Sequence, residues 1–264
     1  MPSPAEPITP KRVPHWLRRP YEYCIYMSAL TLFAVGGLLF SSIAFLLHFI
    51  LPRDLGKRIG RRSLTGLFRF FVWYCQRWGF MSLDLEQVDA LAEERGIIIA
   101  PNHIMIADVV FIISRIPDVV CIAKASVMRN PMYGGFARLA QFIPNDSPAA
   151  MVKQAVAELK GGARLLVFPE GTRMEHPPIQ PFKGGFALIA KKAAAPIHTL
   201  FVSSNSAAAG KRWPIFKAPR FPYRYRIRRG QRFEVPADLD TKSFIKMLET
   251  YFRDNLPPDP RDDP

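Results

Sequence analysis

From about Met81 onward, short apolar runs alternate with longer segments in which apolar residues recur every three or four positions. The runs "MSLDLEQ", "RGIIIAPN", "VVCIAKA", "RLLVFPE", "PIHTLFVSS" and "YRYRIRR" have the length and the branched or aromatic content of strands. Between them, "MYGGFARLAQFI", "PAAMVKQAVAELKGG" and "GGFALIAKKAA" carry helical spacing. In the middle one Pro148 stands near the start and Gly161-Gly162 supply the stop. A last amphipathic stretch, "TKSFIKMLETYFRDNL", predicts a closing helix. Strands alternating with helices predict an α/β domain over residues 81–256, a largely parallel sheet flanked by helices. The acidic, proline-rich residues 257–264 predict a frayed end.

Upstream the pattern is different. "CIYMSALTLFAVGGLLFSSIAFLLHFIL", Cys24 to Leu51, has no formal charge, and its length permits a bilayer crossing, which takes about 20 apolar residues. Arg18 and Arg19 precede it while Arg53, Lys57, Arg58, Arg61 and Arg62 follow, so the positive-inside rule does not choose a side. Gly36-Gly37 near the middle offers a bend. A second segment, Leu64 to Met81, mixes aromatics with Arg69 and Arg77 as interfacial helices do. Residues 21–80 are therefore expected to form a membrane-embedded helical hairpin in one leaflet, bent within residues 24–51, with a single span as the alternative. The polar, proline-rich residues 1–20 are expected to be a flexible basic tail.

Composition sharpens this. A formal net charge of +14 favours an anionic partner: phospholipid headgroups, nucleic acid or an acidic carrier protein. Nucleic acid does not suit a chain anchored by its own apolar segment. From Lys211 to Arg232 there are nine basic residues and no acid. There, alternation puts Tyr223, Tyr225 and Ile227 on one face and Arg224, Arg226 and Arg228 on the other. A solvated edge strand and a docking surface for anionic lipid or acyl carrier protein both fit. Cys24, Cys75 and Cys121 lack metal-ligand spacing and are read as reduced thiols of a cytoplasm-facing protein.

Two strand ends carry chemistry. In "APNHIMIADVVF" His103 stands five residues ahead of Asp108. On a regular helix they would lie roughly 140° apart, so they meet only if His103 sits in a turn and Asp108 in the first turn of a helix. In "VFPEGTR" a Pro-Glu-Gly-Thr run forces a second turn. Its Gly171 permits a conformation closed to other residues, and its Arg173 offers donors suited to phosphate or carboxylate. Glu175 beside His176 does not make a metal site, and His198, within an apolar strand, reads as a core histidine.

"NHIMIAD" followed by "FPEGTR" resembles the lysophospholipid acyltransferase family, whose best-known members are 1-acylglycerol-3-phosphate acyltransferases. The similarity runs from about Gly96 to Val202, with "RNP" at Arg129 to Pro131 and "AAPI" at Ala194 to Ile197. "CIAKASVMRNP" is similar to bacterial members found beside aryl-polyene or other specialised lipid pathways. The resemblance implies transfer of a fatty acyl group from acyl-CoA or acyl carrier protein to a lysophospholipid-like alcohol, with no metal or resident cofactor. It implies attachment to a membrane on its cytoplasmic face, the bacterial inner membrane. It makes His103 the general base and Asp108 its partner, and gives Glu170, Gly171, Thr172 and Arg173 to the acceptor. Lys124 is assigned to an anionic headgroup or the donor, and backbone N–H groups near Gly171 to the oxyanion. The departure is "LAQFIPNDS", with Asn145 and Asp146 where members acting on lysophosphatidic acid usually carry a cation. That exchange predicts discrimination against lysophosphatidic acid. A non-catalytic membrane module that binds acyl lipids is the competing reading.

Overall fold

The computed structural model describes residues 14–174, 179–206, 210, 213–236 and 240–256. Its seven strands are β1 (Met81–Asp84), β2 (Ile98–Pro101), β3 (Val119–Ala123), β4 (Ile143–Pro144), β5 (Arg164–Leu166), β6 (Ile197–Ser204) and β7 (Tyr223–Phe233). They form one sheet in the order β1-β7-β6-β2-β5-β3-β4. Every neighbouring pair is parallel except β6 and β7.

Strand side chains alternate between two separate cores, as the pleat requires. Ile99, Cys121, Leu166 and Leu200 face the first, and Ile98, Val120, Leu165 and Phe201 the second. The first face is covered by α1 (His15–Ile50), α2 (Arg53–Arg77), α4 (Asp108–Arg115) and α6 (Gly134–Leu139), through residues such as Phe68, Phe111 and Phe136. The second is covered by α7 (Pro148–Lys160), α8 (Gly185–Ala193) and α9 (Thr241–Asn255), through Ala155, Ile189 and Phe252. Two short helices, α3 (Glu86–Asp89) and α5 (Ala125–Arg129), and a 3-10 turn at Ala90–Ala92 are the other helical elements among the described residues. Helix α7 begins at Pro148 and stops at Gly161, where the sequence punctuates it.

The expected bend within residues 24–51 is absent, and the helical pair is formed instead by α1 and α2. Helix α1 runs unbroken for 36 residues, about 54 Å at 1.5 Å per residue. The turn falls at Leu51-Pro52, where Pro52 caps α2. Residues 15–20, expected in the tail, already belong to α1. Glycine in a helix weakens it without removing a hydrogen bond, and here Gly37 serves close packing instead: a Cβ there would stand 3.1 Å from Met132 Cγ. Four positions on, the Gly135 N–H of α6 donates to Ser41 Oγ at 2.9 Å.

Contacts with the α/β body continue along most of α1. Arg18 donates to the Phe221 carbonyl at 3.2 Å, Tyr26 Oη to the Ile215 carbonyl at 2.6 Å, and the Phe33 and Tyr133 rings lie 6.4 Å apart. Helix α2 is fixed by a buried guanidinium. Arg61 donates to the Ala140 carbonyl at 3.0 Å and pairs with Asp118 and Glu158, each at 2.9 Å. Leu38, Leu39, Ile43, Leu46, Phe49 and Ile50 of α1 stay exposed.

Strand β7 lies inside the sheet, between β6 and β1, and not at its edge. Its faces are as the alternation predicts, with Tyr223, Tyr225 and Ile227 buried and the intervening arginines exposed. Much of that charge is answered within the protein. Arg226 pairs with Asp84 at 2.8 Å, Arg229 with Glu94 at 3.0 Å and Arg232 with Glu234 at 2.8 Å. His198 is a buried core histidine, its Nε2 2.8 Å from Glu94 Oε2.

Candidate active site

The site forms at the carboxyl ends of the adjacent strands β2 and β5, a usual place for ligands in open parallel sheets. At the end of β2 the Asn102 side chain continues the ladder. It accepts from Val202 N–H at 2.7 Å and donates to the Val202 carbonyl at 3.0 Å. The chain then turns through residues 103–107, and Asp108 opens α4. His103 and Asp108 thus take the positions that the five-residue spacing predicts.

Asp108 is fully buried, and four donors meet its carboxylate. Oδ2 faces His103 Nδ1 at 2.8 Å and accepts from the N–H groups of Ile104 at 2.8 Å and Met105 at 3.0 Å. Oδ1 accepts from Tyr225 Oη at 2.8 Å. A buried carboxylate is tolerable when every lone pair is met in this way. Burial and the neighbouring Asp108 push the Tyr225 phenol well above its ordinary range, so it stays a donor. Sequence reasoning missed this residue; alternation had turned Tyr225 inward but could not say against what.

The imidazole is fixed on three sides. Its Nδ1 faces Asp108, and its ring stacks on Phe168 with centroids 3.8 Å apart. Its backbone N–H donates to Glu170 Oε1 at 2.9 Å, and its carbonyl accepts from Met174 N–H at 2.7 Å. With Nδ1–H donating to the carboxylate, Nε2 carries the free lone pair.

Glu170 has a different task from the one expected. It is 1% exposed, and its second oxygen accepts from Gln180 N–H at 3.0 Å. Burial pushes its pKa up, opposed by the backbone N–H groups of His103 and Gln180. It ties the β5 turn to the β2 turn. Gly171 sits at φ +70°, and its N–H closes the turn on the Phe168 carbonyl at 2.9 Å, so that N–H is not the oxyanion donor expected there. The turn then presents Thr172 and Arg173.

His103, Lys124, Asn145, Gly171, Thr172 and Arg173 line one cavity of about 420 Å³. The rest of the lining is largely apolar, including Phe33 and Gly36 of α1, Phe68 and Phe71 of α2, and Cys121 of β3. Burial pushes the Cys121 thiol far up, which makes it an inert wall residue. Both Asn145 and Asp146 are exposed, but only Asn145 is on the wall. Among the described residues no group of three His, Cys, Asp or Glu side chains could hold a metal ion. Glu175 and His176 lie outside the described residues. The arrangement suits removal of a proton from a hydroxyl beside a long apolar group and an anionic one.

The family model described as Acyltransferase matches residues 82–203. The chain is 33% identical over 114 residues to a 1-acyl-sn-glycerol-3-phosphate acyltransferase of Cocos nucifera, a match covering 40% of this chain and 37% of that protein. It is 32% identical over 123 residues to the enzyme of the same name from Limnanthes douglasii, covering 44% of this chain and 43% of the relative. The chain thus spans less than half the length of these plant proteins. In fold it is similar to PlsC, the 1-acyl-sn-glycerophosphate (LPA) acyltransferase of Thermotoga maritima, with a TM-score of 0.66 and 16% identity over 90% of this chain and 95% of that one.

Proposed function

We propose, from the premise that residues 82–203 are an acyltransferase-family domain of the 1-acylglycerol-3-phosphate acyltransferase-like kind, that this protein acylates a lysophospholipid-like alcohol at a membrane surface. The observation that carries the reading is the His103–Asp108 pair at the head of an apolar cavity with Lys124 and Arg173 on its wall. Its volume, about 420 Å³, is within the usual range for ligand pockets, about 300–1,000 Å³.

In the reaction, Nε2 of His103 takes the proton of the acceptor hydroxyl as its oxygen attacks the thioester carbonyl. Asp108 holds the tautomer and faces the imidazolium that forms. The N–H groups of Thr172 and Arg173 are the donors left to the turn for the tetrahedral oxyanion, since that of Gly171 is already used. Collapse expels the thiolate, which recovers the proton from His103, leaving an ester and a free thiol. The donor is acyl-CoA or acyl carrier protein.

Helix α1 supports attachment to one leaflet rather than a crossing. It is packed on the body from Arg18 to Ser41, so standing it upright would draw Tyr133 and Gly135 of the body into the hydrocarbon. Its outer face, apolar from Leu38 to Ile50, suits the acyl region of one leaflet. Free Cys75 and Cys121 fit the cytoplasmic side. Against the competing non-catalytic reading stands the lining of one cavity by His103, Thr172 and Arg173, with Asp108 buried behind the imidazole.

The wall of the cavity also revises the acceptor. Like-charge repulsion was expected from Asp146, but Lys124, Asn145 and Arg173 line the cavity and Asp146 does not. Lysophosphatidic acid is therefore the acceptor we favour. In competition assays, kcat/KM for lysophosphatidic acid should match or exceed that for lysophospholipids with capped phosphates. Arg173→Ala should lower it about 10- to 100-fold, the worth of a charge-assisted hydrogen bond, and Asp146→Arg should change it little. A large gain from Asp146→Arg would put that side chain at the headgroup after all.

A further inference from the structure

Away from α1 and α2, two consecutive large apolar side chains project from the loop ahead of β7. Ile215 is 61% exposed and Phe216 68%. The loop is closed upon itself. Lys217 N–H donates to the Pro214 carbonyl at 3.0 Å, Trp213 Nε1 donates to the Lys217 carbonyl at 2.7 Å, and the Lys217 ammonium lies 4.9 Å from the Trp213 ring centroid. It is also tied to the membrane helix, since Tyr26 Oη of α1 donates to the Ile215 carbonyl. Beside this junction α1 exposes Trp16 and Tyr23, with Arg18 and Arg19 between them. Lys217 and Arg220 are exposed on the loop side.

We propose that the turn Trp213–Lys217 is a lipid-inserting loop, with Ile215 and Phe216 entering the leaflet that holds α1 and Lys217 and Arg220 meeting anionic phosphates. A water-exposed Ile-Phe tip gains by entering an apolar phase. The tip is bonded directly at Tyr26 to the helix that carries the exposed apolar side chains Leu38 to Ile50 further along. Aromatic rings and long basic side chains gather at the headgroup level of a bilayer, the rings at the boundary and the cations reaching into water. The loop also gives the body a contact off the α1 axis, which opposes rolling about it. This inference rests on the reading of α1 as a one-leaflet helix, and the test separates the two.

The full-length chain with Cys24→Ser leaves Cys75 and Cys121, both buried, as its native thiols. A polarity-sensitive NBD label is then placed at Phe216→Cys or at Ile43→Cys. Vesicles of mixed phosphatidylethanolamine and phosphatidylglycerol are added. Emission from both labels should rise and shift to the blue. A response at position 43 alone overturns the loop proposal and leaves the α1 reading standing; silence at both overturns both. Independently, the double variant Ile215→Asp, Phe216→Asp should partition onto the same vesicles about tenfold more weakly. Unchanged partitioning would also overturn the proposal.

Discussion

Four donors converge on Asp108, three from its own turn and one, Tyr225, from a strand more than a hundred residues later. The local three make the turn rigid; the distant one holds the acid against β7. Losing the Tyr225 hydroxyl would leave Oδ1 of a buried carboxylate without that partner and free the acid to rotate away from His103. Tyr225→Phe is therefore expected to lower kcat about tenfold with KM nearly unchanged, the cost of one hydrogen bond to a charged group. Steady-state kinetics on purified enzyme check it. A rise in KM with unchanged kcat would make Tyr225 a shape-filling residue only.

At the scale of elements, α1 sits on α6 through an approach that only glycine permits. A Cβ on Gly135 would stand 1.8 Å from the Ser41 carbonyl oxygen, whereas one on Gly36 would meet nothing within 4 Å. Gly135→Ala should destabilise the protein by about 1–3 kcal/mol or more, as overpacking does, while Gly36→Ala should be neutral or slightly stabilising. Denaturation in detergent compares them. Between β6 and β7, burial holds the His198 imidazole below its ordinary pKa; Glu94 works against this and Arg229 and Arg232 add to it. The folded state thus favours the neutral ring. Its contribution is present above the unfolded value, about 6.5, and is lost as pH falls through the lowered one. Denaturation midpoints should fall more steeply below that pH in wild type than in His198→Gln.

These elements also show what the sequence could tell and what it could not. Helix α7 was legible because Pro148 and Gly161 act within the element. The His103–Asp108 turn and the Glu170–Arg173 turn were legible because each is local. Alternation in "YRYRIRR" gave the faces of β7, but pairing partners are set by the rest of the sheet, so its central position was not visible. The Gly36-Gly37 pair looked like a bend because a missing side chain signals either flexibility or contact. Only the presence of Met132, in the loop ahead of α6, decides for contact. Glu170 looked like a ligand group because its backbone partners, His103 and Gln180, are brought to it by folding.

Taken whole, the protein is a sheet with one face under α7 to α9 and the other under helices of which α1 is long and apolar enough to cross a membrane. The cavity lies between that sheet and those helices, lined by His103 and by Phe33 and Gly36 of α1. An acyl chain lodged there would lie against α1, the helix proposed to enter the leaflet. The account therefore stands or falls on acyl transfer by this one imidazole. The direct measurement is product formation by the purified full-length chain in vesicles containing lysophosphatidic acid, with acyl-CoA or acyl carrier protein, followed by mass spectrometry. Wild type should form phosphatidic acid, and His103→Ala should do so at least about 10²-fold more slowly, the usual loss on removing a general base, with an unaltered melting transition. No product from either donor, or equal rates in the two proteins, would contradict it.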